Sequence, residues 1–126
     1  MTARRKMIGQ IGEEKASNYL KSLGYRIIGR NVRLSQGEID IVAMEGKTVV
    51  FVEVRSRTGS REVIPKYGNP VESITLRKQQ KLRQLALAYL QSHNQSYDAF
   101  RIDAIAVWIC PDLSQTEVGL EHYKHI

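Results

Sequence analysis

The stretch that most constrains this chain is GEIDIVAMEGKTVVFVEVR, residues 37–55. Two runs rich in β-branched and aromatic residues, Glu38–Met44 and Thr48–Arg55, flank Glu45-Gly46-Lys47. β-Branched and aromatic residues suit a pleated, buried surface, and a glycine between two such runs marks a hairpin. If Gly46-Lys47 is a two-residue turn, Glu45 pairs with Thr48. Counting back then sets Asp40 opposite Glu53 on one face and Glu38 opposite Arg55. Directly opposed side chains have Cβ atoms ~5 Å apart. A one-residue slip would move Glu53 to the other face, so the register decides whether the two acids meet.

Two carboxylates that close, inside apolar strands, repel each other and resist burial. Positive charge is required beside them. One source is a divalent cation, since Mg²⁺ takes oxygen ligands and is bound by one or two carboxylates plus substrate phosphate and water. The other is a structural network in which Arg55 or Lys47 bridges Asp40 and Glu53. The residues alone leave both open.

The rest of the chain supplies a frame. Ile8, Ile11, Gly12, Ala16, Tyr19, Leu20 and Leu23 fall near helical spacing and predict a helix over Ile8–Leu23, stopped by Gly24. Tyr25–Val32, interrupted by Gly29, reads as a strand. Ser56–Pro70 is polar and broken by glycine and proline, which predicts an exposed loop. A second helix begins near Val71 or Thr75 and ends near Gln91. Its stripe is Leu82, Leu85, Ala86 and Tyr89, and Arg77, Lys78, Lys81 and Arg83 make it basic. Phe100–Ile109 reads as a fourth strand and Val118–Tyr123 as an edge strand. The order α-β-β-β-α-β-(β) predicts an α/β fold, a mixed sheet flanked by helices in one domain, 1–126.

Composition narrows the function. Nineteen Lys and Arg face thirteen Asp and Glu, a net charge of +6. A surplus of that sign is one footprint of a nucleic-acid binder. Charged residues make up 25% and hydrophobic ones 42%, which excludes a disordered chain. The single cysteine, Cys110, excludes an internal disulfide. It closes an apolar run before Pro111 and reads as a small buried hydrophobe. No run approaches the ~20 apolar residues of a membrane span. MTARRKMIGQIG lacks the apolar core of a secretory signal, so the expected compartment is the cytoplasm.

Other residues have plainer readings. Asp103, in RIDAIAV, is expected to pair with Arg101 or a base of the second helix. Trp108 and Tyr123 are expected to pack. His93, His122 and His125 show no metal-ligand spacing, and the last two are expected to be exposed. Arg57, Arg61 and Lys66 could grip phosphates from the loop or simply be solvated there.

The motif G37-E38-I39-D40, followed after a dozen residues by E53-V54-R55, resembles the PD-(D/E)xK nuclease pattern. G9-x-x-G12-E13-x-x-A16, G24-Y25, F51-V52-E53-V54-R55-x-R57, K78-Q79 and A86-x-x-Y89-L90 resemble one branch of it, the YraN-type family of bacterial proteins, similar to archaeal Holliday-junction resolvases. The resemblance spans roughly residues 8–109. It implies a restriction-endonuclease-like fold and a metal-dependent endonuclease acting on DNA, with branched DNA among the substrates it suggests. It implies that Asp40, Glu53 and the Val54 carbonyl hold Mg²⁺ or Mn²⁺, and that Glu13 matches a third acidic position. The plain reading of Glu13 is a first-turn glutamate favoured by the helix dipole; Glu14 fits the acidic position less well. An enzyme that cuts two strands symmetrically would be a homodimer.

Arg55 departs from the motif, which has lysine there. Arginine offers a planar fork to phosphate but stays protonated and cannot act as a general base. Lys78 or Gln79 could assist, or belong to a basic helical face. Arg55 also keeps alive a second expectation, a non-catalytic nucleic-acid-binding module on the same fold.

Overall fold

A computed structural model describes residues 3–59, 74–94, 96–112 and 117–126. Arg61, Lys66 and nearly all of the expected loop beyond Gly59 lie outside the described residues.

Helix α1 runs Ala3–Ser22 and α2 runs Leu76–Ser92. The strands are β1 (Arg26–Leu34), β2 (Gly37–Glu45), β3 (Thr48–Thr58), β4 (Ala99–Ile109) and β5 (Glu117–Tyr123). They form one sheet in the order β1-β2-β3-β4-β5. Only β3 and β4 pair in parallel; the other neighbours are antiparallel. The mixed sheet between two helices and the α-β-β-β-α-β-β order match the architecture expected from the sequence.

Local signals explain most boundaries. Gly24 takes φ +92, with Gly24 N–H donating to the Lys21 carbonyl and Tyr25 N–H to that of Leu20, so α1 closes in a Schellman turn. Thr75 caps α2, its hydroxyl accepting from Lys78 N–H at 3.1 Å, as expected for a start at Thr75; Val71 lies outside the described residues. Gly46 has φ +59 at the first position of the two-residue turn, and Glu45 pairs with Thr48. The β1–β2 register shifts between Ile27 and Gly29, where glycine interrupts the strand.

Three expectations are corrected here. α1 begins five residues earlier than its apolar stripe indicated, so Glu13 sits mid-helix and gains nothing from a first-turn position. Arg57 belongs to β3, because parallel pairing with β4 carries that strand on to Thr58. His122 is not exposed: its side chain is 5% accessible. The Asp103 carboxylate accepts from His122 Nε2 (2.8 Å), Arg101 Nε (2.9 Å) and His125 N–H (3.1 Å). Arg101 also reaches Glu45 and the Tyr25 hydroxyl, and the Tyr19 hydroxyl meets His122 Nδ1. Burial alone would raise the Asp103 carboxyl; His122, Arg101 and the His125 N–H outweigh it and hold it below the usual range. The expected partnership of Asp103 with Arg101 is found, and Trp108 is packed inside.

Each face of the sheet carries its own core. α2 contributes Leu82, Leu85, Ala86 and Tyr89, packed with Val42, Met44, Val49, Phe51 and Ile102. α1 contributes Ile11, Ala16 and Leu20, packed with Ile41, Ala43, Val50, Val52, Ile105 and Val107. α1 lies so close to β3 that a Cβ at Gly12 would fall 1.7 Å from Ser56 Oγ and 2.8 Å from its Cβ. Gly12 therefore sets the distance between helix and sheet.

Gly12→Ala is expected to destabilise by ~1–3 kcal/mol through overpacking, and Ser56→Gly to restore part of the loss. At Gly9 a Cβ meets nothing within 4 Å, so Gly9→Ala should stabilise by ~0.5–1 kcal/mol. Urea denaturation of Gly12→Ala, Gly12→Ala with Ser56→Gly, and Gly9→Ala checks both signs. Asp103→Ala leaves Arg101 with Glu45 and Tyr25 but takes the acceptor from His122 and the His125 N–H, and should cost ~1–3 kcal/mol in the same assay.

Candidate metal and phosphate site

The hairpin places the two acids where two strands part. The β2–β3 ladder runs from Glu45–Thr48 to Ile41–Val52 and stops there. One step further sets Asp40 against Glu53, the register counted from the turn. Beyond that step β2 continues against β1, and β3 against β4. The sheet thus opens into a fork with an acid on each prong.

At the fork, the Val54 N–H donates to Asp40 Oδ2 at 2.9 Å. A β3 amide left without a β2 carbonyl is satisfied by the β2 carboxylate instead. Glu53, 6% exposed, lies within hydrogen-bonding reach of Asp40. Burial, then the charge of Glu53, then that of Glu13 push the Asp40 carboxyl up to about 8, and the Val54 N–H only partly offsets them. Glu13 reaches in from α1; burial raises its carboxyl, while a bond to the Asn31 side chain and the charge of Arg30 pull it down. Glu14 turns outward and pairs with Arg30 at 2.8 Å.

Two cations attend Glu53. Arg55 Nη2 is 2.9 Å from its Oε2, and Lys78 Nζ on α2 is 3.5 Å from the same oxygen. The expected opposition of Glu38 and Arg55 is not found. The strands have already parted there, so Glu38 pairs with Arg33 of β1 and Arg55 folds back along its own strand. Gln79 spends its side-chain amide on the Ile74 carbonyl at the start of α2, at 3.3 Å. Arg57 is exposed and lines a cleft between β3 and α1 that Glu13 and Arg55 also line.

The structure therefore assembles Asp40, Glu53, Glu13, Arg55 and Lys78, and leaves Gln79 and Arg57 beside them. The sequence reading missed Arg4 and Arg5, which line that cleft with Glu13, Arg55 and Arg57. Their signal was the ARRK run, which was weighed as a leader and rejected but not read as helix.

A model of the uncharacterised protein family UPF0102 matches residues 12–107. The chain belongs to the UPF0102 family. A UPF0102 protein of Moorella thermoacetica is 43% identical over 124 residues, covering 98% of both chains. Relatives in Dehalococcoides mccartyi (43% over 125 residues) and Mycobacterium bovis (39% over 127) cover 99% of this chain. The matched region contains Glu13, Asp40, Glu53, Arg55 and Lys78 of this UPF0102 protein.

A carboxyl raised in the folded state binds more protons there than in the unfolded chain. The Asp40 carboxyl thus leaves stability highest near pH 4 and erodes it up to about pH 8, where the loss levels off. Asp40→Asn, which can still accept from Val54 N–H, should remove that slope and raise the melting temperature at neutral pH. Thermal melts across this range, in chelator, measure it.

Proposed function

We propose that this UPF0102 protein is a metal-dependent DNA endonuclease that hydrolyses phosphodiester bonds. The carrying observation is the pair Asp40 and Glu53 on the two prongs of the strand fork, with Glu13 alongside and arginines flanking them. Among the described residues no group of three or more His, Cys, Asp or Glu side chains could hold a metal ion. The two-carboxylate set still fits a hard cation, because Mg²⁺ is commonly held by one or two carboxylates and completes its shell with water and substrate phosphate. The raised Asp40 carboxyl marks a place short of positive charge. Asp40 and Glu53 would hold Mg²⁺ or Mn²⁺, with the Val54 carbonyl as the resemblance implies. When bound, such an ion lowers the pKa of a coordinated water and offsets phosphate charge.

The other residues orient and neutralise. Arg55 presents a permanently charged fork to a phosphate but cannot take a proton from water. Lys78 brings an ammonium to the carboxylate that the motif lysine would accompany, from α2 instead of β3. Branched DNA is the substrate suggested by the resemblance, and symmetric cutting of it would take a two-fold pair of chains. Among the described residues no helix is long and apolar enough to cross a membrane. The cytoplasm, where a one-cysteine chain needs no disulfide, is the compartment this reading implies.

One observation favours a second reading. Arg55 and Lys78 already neutralise Glu53, as they would in a binding module that cuts nothing. A nicking assay with Mg²⁺ or Mn²⁺ on linear and branched DNA separates the two. The nuclease reading expects cleavage that falls at least ~100-fold in Asp40→Ala and Glu53→Ala, of the order seen when transition-state charge stabilisation is removed. Arg55→Lys should retain activity and Lys78→Ala should lower it. Salt-sensitive binding with no cleavage by the wild type would establish the module instead.

A further inference from the structure

The first turn of α1 runs against helix electrostatics. Arg4, Arg5 and Lys6 occupy it, and it holds no acidic residue. Cations at a helix N-terminus oppose the positive end of the dipole. A chain tolerates such a conflict most readily where the charges serve a ligand.

Arg4 and Arg5 face a cleft. Arg4 and Arg5 on α1 and Arg55 and Arg57 on β3 line a cavity of about 690 Å³, with Glu13 the one acid among its described lining residues. Arg4 is held in place, its Nη2 donating to the Pro111 carbonyl at 2.9 Å. Arg55 Nε is buried and, among the described residues, has no hydrogen-bond partner. Between the arginines, Ile8 supplies an apolar patch and Gly9 leaves the helix surface bare. Arg55 and Glu13 belong to both places, so the cleft opens from the carboxylate fork.

Guanidinium groups on two walls with an apolar floor suit phosphates spaced along a strand and bases laid on the floor. The volume is that of a small-ligand pocket. It accepts a short run of unpaired nucleotides but is too small to enclose a double helix. We infer that the cleft between the N-terminal half of α1 and the far end of β3 binds a single strand of nucleic acid, the unpaired continuation of the strand whose phosphate lies at the fork. The inference deepens the nuclease reading and rests on it for the position of that phosphate.

The test uses the full chain carrying Asp40→Ala, in chelator so that nothing is cut. Fluorescence anisotropy follows a labelled oligodeoxythymidylate and a blunt hairpin duplex of the same charge. Single-strand binding should be at least ~10-fold tighter than duplex binding. Adding Arg4→Gln with Arg5→Gln should weaken it ~10-fold and flatten the plot of log K against log salt by about 1.4, or ~0.7 per phosphate lost. Arg57→Gln should flatten it by about 0.7 and decides the matter if the double variant fails to melt cooperatively. Equal affinity for both DNA forms, or unchanged slopes, overturns the inference. Wild-type cleavage without the single-strand preference removes the cleft and leaves the nuclease. The preference without cleavage removes the nuclease and leaves the cleft as a binding site.

Discussion

Everything at the candidate site depends on β2 and β3 separating where they do. For five residue pairs they share a ladder, from Glu45–Thr48 to Ile41–Val52; beyond it each strand keeps only its outer neighbour, β1 or β4, which it pairs with along the ladder too. An amide exposed by that parting needs an acceptor, and Asp40 provides one through the Val54 N–H. The bond fixes the Asp40 carboxylate on the axis between the strands. Glu53, the adjacent residue on β3, has little room to place its own carboxylate elsewhere. The strand geometry thus creates the crowding of negative charge.

The chain offers an internal comparison for that crowding. Asp103 is fully buried, yet His122, Arg101 and a backbone amide hold its carboxyl below the usual range. Asp40 has one amide and two acidic neighbours, and its carboxyl rises to about 8. Both lie in strands of one sheet, and both would look alike to a hydropathy scan. Asp103 is finished by the protein's own groups, as a structural network is. Asp40 is left incomplete, and perturbed carboxyls of that kind gather at functional sites.

The sequence made the hairpin readable because a two-residue turn fixes register, and register fixes which residues face each other. The Asp40–Glu53 placement followed from counting alone, and Gly24 and Thr75 marked helix ends by their chemistry. Counting failed beyond the fork, since the same arithmetic that joined Asp40 to Glu53 also joined Glu38 to Arg55. Nothing in the hairpin sequence tells where its own ladder ends. The α1 start was missed because Arg4, Arg5 and Lys6 contradict the usual first-turn preference. His122 could have been found: two residues from Leu120 on β5 it shares that residue's face, and Leu120 packs against the α1-side core. The path of Lys78 to Glu53 is a tertiary contact that no local pattern encodes.

The parallel pairing of β3 with β4 bears on the order in which the site is built. Asp40 and Glu53 lie on a hairpin closed by two residues, a local structure of the kind that forms in ~1–10 μs. Lys78 arrives on α2, inside the crossover that must close before β4 can pair with β3, and non-local pairing of that type is slow. During folding the two carboxylates therefore meet before their ammonium partner exists, and the newborn hairpin carries its repulsion unrelieved by α2. Refolding rates should thus respond to acid, and to divalent cations in the buffer, at a stage earlier than helix docking.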